Sequence, residues 1–119
     1  MRILIVEDTE DNRTILRDLF HSVGYSVIEA TTGEEGVAAA ERERPDLILM
    51  DIQLPIIDGY EATRRIKAVS DLAEIPVIAV TSHALSDDER KAREAGCDDY
   101  VAKPFSPRAL LAKVRKYER

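Results

Sequence analysis

Carboxylates stand at the ends of two short apolar runs in this sequence. Glu7 and Asp8 follow the run Ile3 to Val6, and Asp51 follows the run Leu47 to Met50. Carboxylates held about 4 Å apart would repel one another by roughly 4 kcal/mol at an effective dielectric near 20. If the fold brings these three acids together, they therefore need a proton or a cation.

A hard divalent cation suits such a group of oxygen ligands best. Mg²⁺ binds carboxylates and carbonyl oxygens and usually keeps several waters, which leaves room for a phosphate oxygen. The sequence shows no Cys and His pattern at the spacing of zinc ligands. We therefore expect a Mg²⁺ site made of oxygen ligands.

Two further apolar runs end in groups that suit a phosphoryl group. Thr81 follows the run Val77 to Val80, and Lys103 follows Tyr100 to Ala102. The lysine can neutralise phosphoryl oxygens, and the threonine can donate a hydrogen bond to one of them. Asp51 is then the nucleophile, because carboxylates form covalent phosphoryl intermediates and a strand end orients the attacking oxygen. Polar strand ends are commonly just solvated, but four that converge indicate a functional site.

The apolar runs belong to a pattern of strand and helix that occurs five times. Most runs are continuous rather than alternating, which is typical of parallel strands covered on both faces. Strands of this kind predict a doubly wound α/β sheet with right-handed crossovers and a ligand site at the carboxyl ends of the strands. The runs are Ile3 to Val6, Val27 to Ala30, Leu47 to Met50, Val77 to Val80 and Tyr100 to Ala102.

The five helices between and after these strands are indicated by apolar spacing and by capping residues. The fourth has few large apolar residues, which favours a weakly packed and movable helix. Gly24 ends the first helix, Thr32 or Gly33 begins the second and Pro45 ends it, and Asp58-Gly59 begins the third. The fourth helix begins at the capping box Ser86-Asp87-Asp88-Glu89 and ends at Gly96, and the fifth begins at Ser106-Pro107.

Composition narrows the class of protein. The chain has 119 residues, of which 45% are hydrophobic and 34% charged, as expected for one globular domain over residues 1–119. A net charge of −6 disfavours direct contact with nucleic acid or anionic membrane. The single cysteine, Cys97, cannot form an internal disulfide, and no apolar run approaches a membrane span. We therefore expect a cytoplasmic protein.

Taken together, these motifs resemble the receiver domain of two-component response regulators over essentially the whole chain. The resemblance rests on Glu7-Asp8, on Asp51 followed by IQLPIIDG, and on Thr81, Tyr100 and the KPF that begins at Lys103. It implies a flavodoxin-like (βα)5 fold with strand order 2-1-3-4-5. It also implies a signalling switch that assists its own phosphorylation and dephosphorylation, rather than an enzyme.

The resemblance assigns the acceptor and the metal ligands. Asp51 would accept a phosphoryl group from a sensor histidine kinase or a histidine phosphotransfer protein. Asp8, Asp51 and the backbone carbonyl of Gln53 would bind Mg²⁺, and Glu7 would assist through water. Glu7 stands where the family more often has Asp, a change that alters the metal contact without removing it. Gln53 and His83 occupy positions that influence the lifetime of the phosphoryl group in the family.

The resemblance also assigns the switch. Lys103 and Thr81 would hold phosphoryl oxygens, with a cis peptide between Lys103 and Pro104. Tyr100 would be the aromatic residue that turns inward as Thr81 moves. The face of the fourth helix, fifth strand and fifth helix would bind a downstream protein, with a phosphorylation-dependent dimer as a further expectation. Choice of kinase would depend on first-helix residues, among them Asn12, Ile15, Leu16 and Leu19.

Other classes of protein fit less well. A flavodoxin needs a loop that binds phosphate after the first strand, where this chain has the acidic EDTEDN. A haloacid-dehalogenase-type phosphatase would need an aspartate where Gln53 stands. A receiver-like scaffold that is never phosphorylated stays open. Such scaffolds normally lack the counterpart of Asp51, of Lys103 or of one of the acids, and all of these residues are present here. The ends of the chain favour a stand-alone receiver, with the N-terminal receiver of a larger regulator as the alternative.

Overall fold

Five parallel strands form one sheet in the order β2-β1-β3-β4-β5. The computed structural model describes residues 1–82 and 86–118, with only the backbone of Ser86. The predicted fold class and strand order are confirmed, and each strand end lies within one residue of the predicted run. The strands are β1 (Arg2–Val6), β2 (Ser26–Ala30), β3 (Leu47–Asp51), β4 (Val77–Thr81) and β5 (Asp99–Ala102).

Five helices alternate with the strands. They are α1 (Glu10–Ser22), α2 (Gly33–Glu43), α3 (Gly59–Lys67), α4 (Ser86–Ala95) and α5 (Pro107–Arg115). Three predicted caps are confirmed, because the side chains of Thr32, Asp58 and Ser106 accept backbone N–H groups in the first turn of α2, α3 and α5. The capping box of α4 depends on the side chain of Ser86, which lies outside the described atoms. A 3-10 turn at Ser70–Leu72 was not predicted.

The sheet is covered on both faces, as its continuous apolar strands predicted. Leu4 and Met50 point into an apolar cluster with α2, α3 and α4, whereas Ile5 and Leu49 point into a second cluster with α1 and α5. Neighbouring residues of a strand thus serve opposite faces, because side chains alternate along a strand. All of these side chains are buried, so the strands are held in fixed positions.

The strand register aligns the carboxyl ends of the central strands. Val6 of β1 pairs with Met50 of β3, and Thr81 of β4 pairs with Ala102 of β5. Asp51 ends β3 beside Val80. The residues at and just after these positions therefore lie along one edge of the sheet.

Candidate functional site

Three carboxylates meet at the carboxyl edge of the sheet. Glu7 and Asp8 follow β1 and Asp51 ends β3, and one carboxylate oxygen of each lies within 4.8 Å of the others. Glu7 and Asp51 are only 2% and 5% exposed, whereas Asp8 is exposed. The structure therefore brings together the three acids that the sequence predicted. A set of oxygen donors with one exposed member fits Mg²⁺, which keeps part of its water shell.

Glu7 is held by groups from two other parts of the chain. Its carboxylate accepts hydrogen bonds from the Thr9 backbone N–H at 3.0 Å, from Asn12 Nδ2 at 3.3 Å and from Lys103 Nζ at 3.0 Å. Burial alone would raise the pKa of Glu7, but the Thr9 N–H and the Lys103 ammonium outweigh burial and lower the pKa. Glu7 is therefore a fixed negative charge beside Asp51. The contact with Asn12 was not predicted, because it joins a strand end to a helix side chain.

Asp51 has the opposite electrostatic character. Burial, followed by the charge of Glu7, raises the pKa of Asp51 to about 7. Lys103 and the backbone N–H of Gln53, which donates to Asp51 Oδ1 at 3.1 Å, oppose that rise. Near neutral pH the carboxyl group is therefore poised between its protonated and ionised forms. A cation beside it would favour the ionised form, which is the nucleophilic form of any carboxyl group.

Lys103 lies between the two buried acids. Its ammonium nitrogen is 3.0 Å from Glu7 Oε1 and 3.8 Å from Asp51 Oδ2. The Lys103 backbone N–H donates to the Thr81 carbonyl oxygen at 2.6 Å, which joins β5 to β4 beside the acids. The expected cis peptide between Lys103 and Pro104 is present. The predicted lysine and the predicted threonine are thus neighbours at one site.

The backbone of Asp51 is enclosed by the start of α3. The Gly59 N–H donates to the Ile52 carbonyl oxygen at 2.9 Å, and the Ile52 N–H donates to the Val80 carbonyl oxygen at 3.0 Å. A Cβ at Gly59 would overlap the Asp51 carbonyl oxygen. Gly59 is therefore a positioning residue that the sequence indicated only as the start of a helix.

Tyr100, Thr81 and Gln53 occupy three different surroundings. Thr81 is buried at the end of β4. Tyr100 lies on β5, half-buried against the apolar cluster of α3 and α4, where burial and then the charges of Asp88 and Glu89 raise its pKa. Gln53 is exposed beside Asp51. His83, which the sequence placed near Thr81, lies outside the described residues.

The fold and the site together define a class of protein: a doubly wound α/β domain whose central strand ends in a buried aspartate between acids and a lysine. A family model for the response regulator receiver domain matches residues 3–115. The chain therefore belongs to the response regulator receiver domain family of two-component systems. Phosphorylation-dependent switching is the function of that family.

Individual relatives agree with this assignment. The chain is 44% identical to the polar-differentiation response regulator DivK of Brucella anthropi, over 97% of this chain and 94% of that protein. It is 41% identical to the receiver domain of the sensor histidine kinase PA1611 from Pseudomonas aeruginosa, with a TM-score of 0.91 over 98% of this chain and 95% of that one. The PA1611 structure has a magnesium ion coordinated in its active-site cleft.

A third relative has a more distant sequence and the same fold. The chemotaxis protein CheY4 of Vibrio cholerae is 25% identical, with a TM-score of 0.92 over 98% of this chain and 97% of that one. Receiver domains interact with histidine kinases or phosphotransfer proteins and with downstream targets. Within residues 1–82 and 86–118, no helix has both the length and the apolar character that crossing a membrane requires.

Proposed function

We propose that this chain is a switch that accepts a phosphoryl group on Asp51 from a phosphohistidine protein in a Mg²⁺-dependent reaction. The observation that carries the proposal is the position of Asp51. It ends the central strand, buried beside Glu7, with the Lys103 ammonium 3.8 Å from its carboxylate. We assign residues 1–119 to one receiver domain that acts in the cytoplasm and influences its own phosphorylation and dephosphorylation.

The metal would be held by oxygen atoms from two strand ends and one loop. Asp8 and Asp51 would supply carboxylates, the backbone carbonyl of Gln53 would supply a further ligand, and Glu7 would act through water. When bound, Mg²⁺ supplies positive charge that neutralises the carboxylates and the oxygens of the phosphoryl group. The magnesium in the active-site cleft of the PA1611 receiver domain supports this assignment.

The chemistry at Asp51 is a nucleophilic displacement at phosphorus. A carboxylate oxygen of Asp51 attacks the phosphorus atom, the bond between phosphorus and the donor's imidazole nitrogen breaks, and the released imidazole takes a proton from solvent. The Lys103 ammonium pairs with one phosphoryl oxygen, and the Thr81 hydroxyl donates a hydrogen bond to another. The fixed backbone of β3 keeps the attacking oxygen in line with the bond that breaks.

A groove beside the acids suits a protein donor. It has a volume of about 390 Å³ and lies between α1 and the segment that follows β5. Its lining includes Asn12, Ile15 and Phe105, and the Ile15 side chain is 59% exposed. Leu16, which the sequence analysis grouped with these residues, is mostly buried in the core and forms only part of the inner wall of the groove. A sensor histidine kinase or histidine phosphotransfer protein would dock here.

The output surface would be the face formed by α4, β5 and α5. Among the described side chains of α4, at positions 87–95, the buried ones are small, Ala92 and Ala95, so little apolar area holds this helix in place. Tyr100 lies on β5 in the same region. Phosphorylation would shift the population of α4 positions and so change the affinity for a downstream protein or a second copy.

Intact-mass measurement after incubation with acetyl phosphate tests the proposal. We expect one phosphoryl group on the wild-type chain with Mg²⁺ present and none with EDTA. The Asp51→Asn variant should gain none under either condition, because its amide is not a nucleophile, while its circular dichroism stays that of the wild type. A phosphoryl group on Asp51→Asn at the wild-type level would refute the acceptor.

A further inference from the structure

Ile56 combines two properties that are unfavourable for the folded state. Its backbone has a φ of 72°, in the left-handed region that β-branched residues rarely adopt. Its side chain is 85% exposed, so the apolar surface gains nothing from burial. A single exposed apolar residue is ordinary on a protein surface. Exposure and backbone strain in the same residue are not, and such strain persists mainly at functional sites.

The loop between β3 and α3 holds Ile56 in this conformation. Before it, Leu54 is buried and its N–H donates to the Ile52 carbonyl oxygen at 3.1 Å. After it, Ile57 packs against Gly33, and the Asp58 side chain accepts the Glu61 N–H at 2.9 Å. Contacts therefore hold the loop before and after Ile56, while the residue itself is exposed between them.

This loop forms the rim of the acceptor site. The Gln53 N–H contacts Asp51 Oδ1, and Gly59 lies against the Asp51 carbonyl oxygen. A protein that brings a phosphorylated imidazole to Asp51 must therefore cover the loop. Ile15 of α1, which lines the groove beside Glu7 and Lys103, is the other exposed large apolar residue among residues 1–82 and 86–118. Two different elements thus present apolar side chains around one group of charged residues.

We propose that Ile56 is a docking residue for the phosphohistidine protein, whose surface has an apolar patch beside the histidine. This inference rests on the proposed function. The contacts of the flanking residues already hold the loop backbone in place, so little backbone entropy is lost when the donor covers Ile56. Acetyl phosphate carries no protein surface that could cover Ile56 while it reacts at Asp51. The side chain therefore affects transfer from a protein and not from a small donor.

Two variants separate the apolar side chain from the strained backbone. Ile56→Asn removes the apolar surface and suits the left-handed conformation, whereas Ile56→Leu keeps the apolar surface without β-branching. The protein donor is the radiolabelled histidine kinase domain or phosphotransfer protein of the source organism that labels the wild-type chain fastest. The readouts are kcat/KM from this donor, the rate of labelling by acetyl phosphate, and Tm.

For Ile56→Asn we expect kcat/KM with the protein donor to fall about tenfold, the size of loss typical of an interface anchor. Labelling by acetyl phosphate should stay within about twofold of the wild-type rate, and Tm should rise by about 2 to 5 °C as the strain is relieved. Ile56→Leu should transfer within about twofold of the wild type, because it keeps the apolar contact.

Several results would overturn the inference. Unchanged transfer to Ile56→Asn would do so, and so would an equal loss in both variants, which would assign the effect to the loop backbone. Unchanged transfer together with loss of a phosphorylation-dependent dimer in size-exclusion chromatography would assign Ile56 to a second copy of the chain. If acetyl phosphate labels the wild type and no protein donor does, the docking role of Ile56 is refuted while Asp51 remains the acceptor. If neither labels Asp51, the proposed function fails.

Discussion

The folded state disfavours the ionised form of the Asp51 carboxyl group. Its pKa is raised from 3.8 to about 7, first by burial and then by the charge of Glu7. Between these two values the folded chain binds more protons than the unfolded chain does. The contribution of Asp51 to stability is therefore complete below about pH 4 and is lost as the pH rises through 7.

Replacing Asp51 with Asn should therefore stabilise the chain at high pH. Without metal at pH 8, we expect Asp51→Asn to raise the free energy of unfolding by about 2 kcal/mol, since each unit of pKa shift corresponds to about 1.4 kcal/mol and solvent screening reduces the effect. The gain should shrink toward zero at pH 4. Urea titrations in EDTA measure it, with the exposed Asp18→Asn as control. A gain that does not depend on pH would contradict the raised pKa.

Elements position the site through backbone contacts rather than through side chains alone. Gly59, the first residue of α3, lies against the Asp51 carbonyl oxygen, and its N–H donates a hydrogen bond to the Ile52 carbonyl oxygen. The start of the helix and the end of the strand are therefore in direct contact. Close backbone approach of this kind requires a residue without a side chain.

Gly59→Ala should disturb the fold and the site together. The added methyl group meets backbone atoms that cannot rotate away, so we expect a loss of about 2 to 3 kcal/mol in the free energy of unfolding and slower labelling by acetyl phosphate. Gly24→Ala is the control, because Gly24 has a φ of 85° with open space around it and precedes β2, at the opposite end of the sheet from the acids. It should cost about 1 kcal/mol and leave labelling unchanged. Equal labelling rates in the two variants would contradict the role of Gly59 in positioning Asp51.

Elements were easier to predict from the sequence than contacts between them. The strands follow from continuous buried runs such as Leu47 to Met50, and α3 and α5 follow from Asp58 and Ser106, whose capping role depends on nearby residues only. The convergence of Glu7, Asp8 and Asp51 followed from the topology of parallel strands. The contact of Glu7 with Asn12 and the left-handed φ of Ile56 did not, because tertiary packing determines both.

At the scale of the whole molecule, Lys103 contacts both the acids at the carboxyl ends of the strands and the strands of the proposed output face. The Lys103 ammonium lies closer to Glu7 than to Asp51, and the Lys103 backbone N–H donates a hydrogen bond to the Thr81 carbonyl oxygen. A phosphoryl group on Asp51 would place new negative charge beside this ammonium and weaken its pairing with Glu7. A local change of charge would thus act on β4 and β5 together, and through them on α4.

Lys103→Ala should separate phosphorylation from switching. We expect this variant to accept a phosphoryl group from acetyl phosphate more slowly, by about tenfold, and to lose the change in backbone amide chemical shifts of α4 and β5 that the wild type shows. Lys116→Ala, an exposed lysine after α5, is the control and should behave as the wild type. A full set of shift changes in phosphorylated Lys103→Ala would contradict the role of Lys103.

The position of the phosphoryl group is the most direct test of the proposed switch. The wild-type chain would be labelled with acetyl phosphate and Mg²⁺ and reduced with borohydride, which converts an aspartyl phosphate to homoserine, and its peptides would be sequenced by mass spectrometry. We expect homoserine at position 51 alone. Reduction at Glu7, at Asp8 or at another carboxyl group, with Asp51 intact, would contradict the assignment of Asp51 as the acceptor.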